Sequence, residues 1–240
     1  MVDRGFESLE ASGDGGGVSR GHLSHRRDVF HAWMLEGANF SEDWEMPTLE
    51  PVDALPDGLV PFSEAMGRER DSIDCFVHFY EDDFRFESVW SNPSRYLPSL
   101  SRFAGVIMPD FSTSIDFPKP MKMWNAYRNR LLGSWFQRNG IVTIPNARAE
   151  PGCPWRLEGL PHHSTIAVCG RGLVKRPDER KRFIRDLRVT MDVLEPTTLV
   201  YYGSDLYGVL DYPRSLGIDV RVYPGAGRGV LDGSAHGQRC

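Results

Sequence analysis

Six short apolar runs recur along the chain, and each is nearly continuous in hydrophobic residues rather than alternating with polar ones. Runs of this kind are typical of strands that are covered on both faces. They occupy residues 73–80, 105–109, 141–145, 165–169, 198–202 and 219–223. Between most of them, apolar residues at helical spacing predict helices over residues 93–103, 121–139, 178–194 and 206–216.

The repeated order of strand and helix predicts an α/β fold, because each helix returns the chain to start the next strand in parallel. We expect a mainly parallel sheet of about six strands with helices on both faces. The pattern does not give the strand order, so an incomplete β/α barrel is the alternative.

Composition divides the chain into three parts. Residues 1–26 are rich in glycine and serine and predict a disordered N-terminal arm. Residues 27–224 predict a single α/β domain, and the glycine-rich residues 225–240 predict a flexible tail. No apolar run approaches the roughly 20 residues of a membrane helix, and the N-terminus lacks the pattern of a secretory signal. We therefore expect no membrane association and a cytoplasmic location.

Charge is unevenly distributed along the predicted domain. The net charge is −5, but residues 36–117 carry −12 and residues 118–190 carry +10. A basic face can attract phosphate groups even when the whole chain is acidic. The alternative is that the two segments neutralise each other within the fold.

Polar residues follow the predicted strands at the point where each strand ends. In a parallel sheet these positions share one edge, where ligands normally bind. They include Glu81, Asp82 and Asp83 after the first strand, Asp110, Ser112 and Asp116 after the second, Asn146 and Arg148 after the third, Arg171 after the fourth, and Gly203 and Ser204 after the fifth.

The carboxylates at this edge predict a divalent-cation site. Asp82, Asp83 and Asp110 could hold an ion such as magnesium, which prefers carboxylate oxygens and retains waters for a phosphate substrate. The alternative is that these acids are turn residues, or that Asp110 and Asp116 cap the helix that follows.

Arginines supply the complementary charge. Arg128 and Arg130 lie near the start of a predicted helix, where cations are unfavourable, so each needs a carboxylate or an anionic ligand as partner. An internal salt bridge to Asp110 or Asp116 is one interpretation. Arg148 is expected to bind a phosphate or carboxylate, or else to lie in solvent. His78, inside the first run, is interpreted as a core or edge histidine.

Four motifs, PDFS, YRNR, PNAR and YYG, occur in an order and spacing that resemble the domain of unknown function 4417 family of phages and bacterial mobile elements. The resemblance covers roughly residues 29–224. It implies a setting in a bacterial host cell, and it implies no reaction. The chain departs from the family pattern after Arg148, where it reads AEPGCPWRLEG.

Three hypotheses follow for the function. The first is an enzyme, a metal-assisted hydrolase or transferase acting on a nucleotide or nucleic acid. The second is a nucleic-acid or phosphate-binding protein without catalysis, and the third is a phage interaction or structural protein. The predicted catalytic residues are Asp82, Asp110 and Arg128. The predicted ligand-binding residues are Asp83, Ser112, Asp116, Asn125, Tyr127, Arg130, Asn146, Arg148, Gly203 and Ser204.

Overall fold

The computed structural model describes residues 28–67 and 73–225. The strands in these ranges are β1 (Gly58–Pro61), β2 (Ile73–His78), β3 (Phe103–Ile107), β4 (Thr143–Ile144), β5 (Thr165–Cys169), β6 (Thr198–Tyr202) and β7 (Asp219–Tyr223). The α-helices are α1 (Phe62–Ala65), α2 (Glu87–Ser91), α3 (Pro93–Leu100), α4 (Lys119–Arg138), α5 (Pro177–Leu194) and α6 (Asp211–Ser215). Short 3-10 turns occupy Ala32–Leu35, Asp83–Arg85 and Pro154–Arg156.

The strands form two parallel sheets in sequential order. One sheet has the order β1-β2-β3-β4, and the other has the order β5-β6-β7. Every neighbouring pair is parallel. A single parallel bridge from Asn146, just after β4, to Ala167 of β5 links the two sheets. The α/β class and the parallel strands are thus confirmed, with seven strands in two sheets where we expected one sheet of about six.

One face of each sheet packs against the other sheet. Phe76, Ile107 and Ile144 of the first sheet share a hydrophobic cluster with Val200 and Tyr202 of the second. Among the described residues, no helix contributes to this cluster. The strands follow one another in sequential order within each sheet, an order that β/α barrels also have.

The helices cover the outer faces of the strands. Phe183, Leu187 and Met191 of α5 pack in a second cluster with Ile166 of β5 and Leu199 of β6. This arrangement follows from the sequence, because the near-continuous apolar strands supply one set of side chains to the interior and the other set to the helices.

The long elements agree with the sequence prediction, and the short ones differ. α4 and α5 begin within two residues of the predicted starts, and β5, β6 and β7 match their predicted ranges. β1 lies in a proline-punctuated segment for which we predicted no strand. The predicted arm at residues 1–26 and all of the predicted tail except residue 225 lie outside the described residues. None of the described helices is both long enough and apolar enough to cross a membrane.

Candidate functional site

A cleft of about 910 Å³ lies at the carboxyl ends of the strands. It receives residues that end or follow six strands of the two sheets, β1 to β6, and this edge is where ligands bind in β/α barrels and in open parallel sheets. The predicted residues that line it are Asp82, Asp110, Ser112, Asn146 and Arg148. Further lining residues include His78, Tyr80, Glu81, Arg156, Cys169, Arg171, Arg182, Arg185 and Tyr202.

A chain of hydrogen bonds crosses the cleft between the ends of three strands. The Tyr80 hydroxyl donates to Asn146 Oδ1 at 3.0 Å. Asn146 Nδ2 then donates to Asp110 Oδ1 at 2.8 Å. These residues follow β2, β4 and β3, which are adjacent strands, so the two hydrogen bonds fix their side chains relative to one another. The pairing gives Asn146 and Asp110 defined orientations at the cleft.

Asp110 lies between opposing electrostatic influences. Burial raises the pKa of its carboxyl above the ordinary value, and Asp83 acts in the same direction. Arg156, Arg148 and the hydrogen bond from Asn146 lower that pKa, but they do not overcome burial. A carboxyl with a raised pKa in a cleft is a candidate for proton transfer.

Cys169, at the end of β5, shows that the charged groups converge. Burial, and then the charge of Asp110, raise the pKa of its thiol to about 12, against the opposing effect of Arg148 and Arg171. The three charged residues come from three different strand ends, yet all act on the same sulfur atom. The thiol itself is kept protonated, which makes it a poor nucleophile.

Arg148 is distinguished from its neighbour Arg156 by its lack of partners. Arg156 donates to the Arg148 carbonyl at 3.0 Å and to Glu150 at 3.2 Å. Across residues 28–67 and 73–225, the Arg148 guanidinium has no hydrogen bond or ion pair. It is only partly buried and lines the cleft, so the predicted role as an anion ligand remains open to it.

Arg128, predicted to be catalytic, does not line the cleft. Its guanidinium donates to Glu87 at 2.9 and 3.1 Å and to Asn125 Oδ1 at 2.8 Å. It also lies 3.8 Å from the centroid of the Phe111 ring. The expected carboxylate partner exists, but it is Glu87 of α2 rather than Asp110 or Asp116. The reason is that α2 packs beside α4, where the Trp90 and Trp124 rings lie 5.6 Å apart, and this contact brings Glu87 within reach of Arg128.

Arg130 also has its hydrogen-bond partners inside the protein. Its Nε donates to the carbonyl of Glu158 at 2.9 Å, and a second nitrogen donates to the carbonyl of Arg156. Burial, and then the charge of Arg156, lower the pKa of Arg130 to about 9. The side chain holds the segment around Pro154–Arg156 against α4, and neither Asp110 nor Asp116 is its hydrogen-bond partner.

The loop after β3 is held by residues that the sequence analysis assigned to ligand binding. Asn125 Nδ2 donates to the Ser112 carbonyl at 2.6 Å, and the Ser112 backbone and hydroxyl donate to Asp83 at 3.1 and 2.8 Å. Arg128 fixes Asn125 from the other side. Asn125, Arg128 and Asp83 are therefore positioning residues for one wall of the cleft, in which Ser112 itself takes part.

The remaining predicted residues are spread around the site. Tyr127, on α4, stacks on Trp124 with ring centroids 5.7 Å apart, and it does not line the cleft. Asp116 is exposed, and α4 begins after Pro118 without a side-chain cap, so the capping alternative is wrong. Ser204 is exposed. A Cβ at Gly203 would lie 3.0 Å from the Tyr201 hydroxyl, which gives this glycine a packing role.

The three carboxylates predicted to hold a metal are not gathered into one group. Within the described ranges, no three side chains of His, Cys, Asp or Glu are arranged to hold a metal ion. Asp83 accepts the hydrogen bonds from Ser112, while Asp82 and Asp110 line the cleft. Magnesium commonly uses one or two carboxylates together with substrate phosphates, so a cation arriving with its ligand is compatible with Asp82 and Asp110.

His78 is the main site residue that the sequence analysis missed. It is 1% exposed yet lines the cleft. The Tyr80 backbone N–H donates to its Nδ1 at 3.2 Å, which leaves the ring proton on Nε2. Burial, and then Arg171, lower the pKa of His78 to about 3, so the ring is neutral. Alternation within β2 was the available signal, because residues 76, 78 and 80 share one face of a strand.

These observations define an α/β protein with sequential parallel strands and a polar, arginine-lined cleft at their carboxyl ends. The chain belongs to the family described as Domain of unknown function (DUF4417), which matches residues 38–214. The resemblance seen in the sequence motifs is thereby confirmed.

Two relatives come from mycobacteriophages. The Gene 1 protein of Mycobacterium phage L5 is 34% identical over 185 residues, which is 72% of this chain and 80% of the relative. The Gene 1 protein of Mycobacterium phage D29 is 32% identical over 170 residues, covering 70% of this chain and 63% of the relative. The expected phage setting of the family is therefore supported by its members. No solved structure matches the chain.

Proposed function

We propose that the cleft binds a phosphate-containing ligand, a nucleotide or nucleic acid, through its unpaired arginines. The observation that carries the proposal is Arg148, a cleft residue whose guanidinium has no hydrogen bond or ion pair in the described parts of the chain. A guanidinium without other partners can donate two parallel hydrogen bonds to the oxygens of a phosphate group.

Some of the arginines that line the cleft have no ion-pair partner among the described residues, whereas several of its acids have one. Acids on the arginine-rich side of the cleft have internal partners: Glu150 pairs with Lys122 and Arg156, and Asp186 pairs with Arg185. By contrast, Arg182 lines the cleft without such a partner in the described ranges. The positive charge left over on this side is available to a ligand.

Two further donors extend the anion site. Arg171 donates to the Tyr80 carbonyl at 3.2 Å, which places its guanidinium beside the hydrogen-bonded chain at the cleft. His78 adds a neutral Nε2–H donor, because its Nδ1 is already occupied. A cation and a neutral donor together bind a phosphoryl oxygen without adding the self-repulsion of another charge.

Catalysis in the same cleft is the second candidate, and Asp110 favours it. Its Oδ1 is fixed by Asn146, and burial raises the pKa of the carboxyl. A general acid or base needs this combination of orientation and shifted pKa. Asp82, exposed on the other side of the cleft, would serve with Asp110 as a ligand for a cation that accompanies the phosphate.

The proposal is tested by titrating the protein with ATP, AMP and inorganic phosphate, with and without Mg²⁺, in a calorimeter. We expect at least one of the nucleotides to bind, and Arg148→Gln to weaken it about 10-fold or more by removing a charge-assisted bidentate contact. Arg95→Gln is the matched control, because Arg95 is exposed and lies outside the cleft lining.

Unchanged affinity in Arg148→Gln would contradict the proposal, as would the absence of binding by all three ligands. The latter result would favour the third hypothesis, a phage interaction or structural protein, whose polar cleft satisfies itself. Turnover of a bound nucleotide that is lost in Asp110→Asn, with affinity retained, would establish the catalytic candidate.

A further inference from the structure

An exposed tyrosine is held in a fixed position just outside the cleft. Tyr207 follows β6 and is 63% exposed. The Arg180 guanidinium carbon lies 4.2 Å from the centroid of its ring. Arg180 is itself anchored, since it donates to the Val174 carbonyl at 2.9 Å. One face of the ring is therefore supported by a fixed cation, while most of the side chain remains open to solvent.

The backbone at this tyrosine is unusual. Tyr207 has φ +61°, a left-handed conformation that is uncommon for an aromatic residue, and Gly208 follows with φ +68°. The φ of Gly208 favours glycine, and a Cβ there would lie 2.5 Å from Asp211 Oδ2, so another residue would also have to displace that side chain. The turn thus holds a large apolar ring towards solvent in a conformation with no evident packing benefit. Such sites are common where a ligand is bound.

The tyrosine and the cleft lie on either side of one loop. Between β5 and α5, Arg171, Gly172 and Leu173 line the cleft. The next residue, Val174, accepts the hydrogen bond from the arginine that supports Tyr207. A ligand that extends from the cleft across this loop therefore has only a few residues of the loop to cross before it reaches the ring of Tyr207.

The surface around this loop is strongly basic. Residues 171–188 contain eight basic and three acidic residues. The side chains of Lys175, Lys181 and Arg182 make no hydrogen bond or ion pair within the described residues. Unpaired basic side chains around an exposed aromatic ring are the combination that binds single-stranded nucleic acid, with cations on the phosphates and the ring under a base.

We propose that the ligand of the cleft is a single-stranded nucleic acid, whose chain crosses the 171–176 loop and stacks one base on Tyr207. This inference rests on the proposed function and narrows its ligand class. A mononucleotide in the cleft would not also reach a ring outside it. A duplex offers no open base face to that ring, because its bases are stacked and paired.

The test is fluorescence anisotropy with labelled single-stranded DNA and RNA of 4, 8 and 12 nucleotides, the matching duplexes, and AMP as competitor. We expect single strands of 8 nucleotides to bind more tightly than AMP and than the duplex. Tyr207→Ser should weaken single-strand binding about 5- to 100-fold, the usual effect of losing one stacked base. It should leave AMP binding unchanged.

Tyr212→Ser is the matched control, since Tyr212 also lies under an arginine, Arg188, at 4.9 Å. Its hydroxyl donates to Asp192, which lies about 18 Å further along α5 than Arg180 at 1.5 Å per residue. A combined Lys175→Gln, Lys181→Gln and Arg182→Gln variant should flatten the slope of log affinity against log salt by about 2, at about 0.7 per phosphate contact.

The outcomes separate the two proposals. If AMP binds in an Arg148-dependent way, but Tyr207→Ser binds single strands as the wild type does, or duplexes bind equally well, the inference is wrong and the proposed function stands. If neither AMP nor any oligonucleotide binds, both fail. Tighter binding of RNA than DNA, or the reverse, identifies which single strand is the ligand without changing the inference.

Discussion

Replacing Arg128 by methionine tests whether this arginine positions the site or contacts the ligand. The substitution keeps a long apolar side chain but removes the guanidinium that joins Glu87, Asn125 and the Phe111 ring. We expect the variant to lose stability, because the side chain of Arg128 is only 10% exposed and its contacts are internal.

The size of the loss follows from the separate contacts. The Glu87 side chain is 46% exposed, so solvent screens this ion pair and its loss costs about 0.5–1 kcal/mol. The lost hydrogen bond leaves the buried Asn125 amide without a donor and costs about 1–2 kcal/mol. The guanidinium over the Phe111 ring contributes about 1 kcal/mol. We expect a total of about 3 kcal/mol, or a fall in Tm of about 6–12 °C for a domain of this size.

The assay is thermal and urea unfolding followed by circular dichroism, with Lys181→Met as the control for the loss of one positive charge from an exposed position. The control should unfold within about 0.5 kcal/mol of the wild type. A wild-type Tm for Arg128→Met together with abolished nucleotide binding would refute the reasoning, since it would mean that the arginine contacts the ligand and does little for the fold.

Three further outcomes are expected from single residues. Asp110→Asn should raise the Tm at pH 7. Burial raises the pKa of the wild-type carboxyl, so the wild-type protein loses stability as the pH rises above about 4 and this carboxyl ionises. In a pH series of melting curves, the difference in Tm between the variant and the wild type should therefore vanish near pH 4. Gly105→Ala should lower stability by about 2–3 kcal/mol in urea unfolding, because the new Cβ would lie 2.4 Å from the Phe76 ring, whereas Gly67→Ala has open contacts and should unfold like the wild type. Burial raises the pKa of the Cys169 thiol to about 12, so iodoacetamide at pH 8 should alkylate it at least about 100-fold more slowly in the folded protein than in the urea-unfolded chain. Mass spectrometry measures both rates, and equal rates would contradict a buried, protonated thiol.

The elements that the sequence predicted are those whose apolar pattern is long or continuous. α5 was predictable because Phe183 and Leu187 repeat at helical spacing and a proline ends the pattern after Leu194. β1 was missed because Gly58–Pro61 is only four residues long and ends in a proline, which usually argues against a strand. The strand order was not predictable from a single sequence, since both sheet architectures repeat the same strand and helix pattern.

Some residues of the candidate site were also predictable from the sequence, and others were not. Asp110, Asn146 and Arg148 were predictable because they directly follow strands, and parallel topology brings such positions to one edge. The internal partners of Arg128 and Arg130, Glu87 and the Arg156 carbonyl, were not predictable because they lie 41 and 26 residues away in sequence. The spacing of residues within α4 does not show that these arginines bind other parts of the fold rather than a ligand.

The most direct test of the central claim is a crystal of the protein soaked with tungstate, a heavy phosphate analogue located by its anomalous scattering. The account predicts a tungstate peak in the cleft within hydrogen-bonding distance of the Arg148 guanidinium, with Arg171 or His78 as a second donor, and loss of that peak in Arg148→Gln crystals. A peak at other basic residues alone, or a cleft that stays free of tungstate while Arg148 acquires an internal partner, would contradict it.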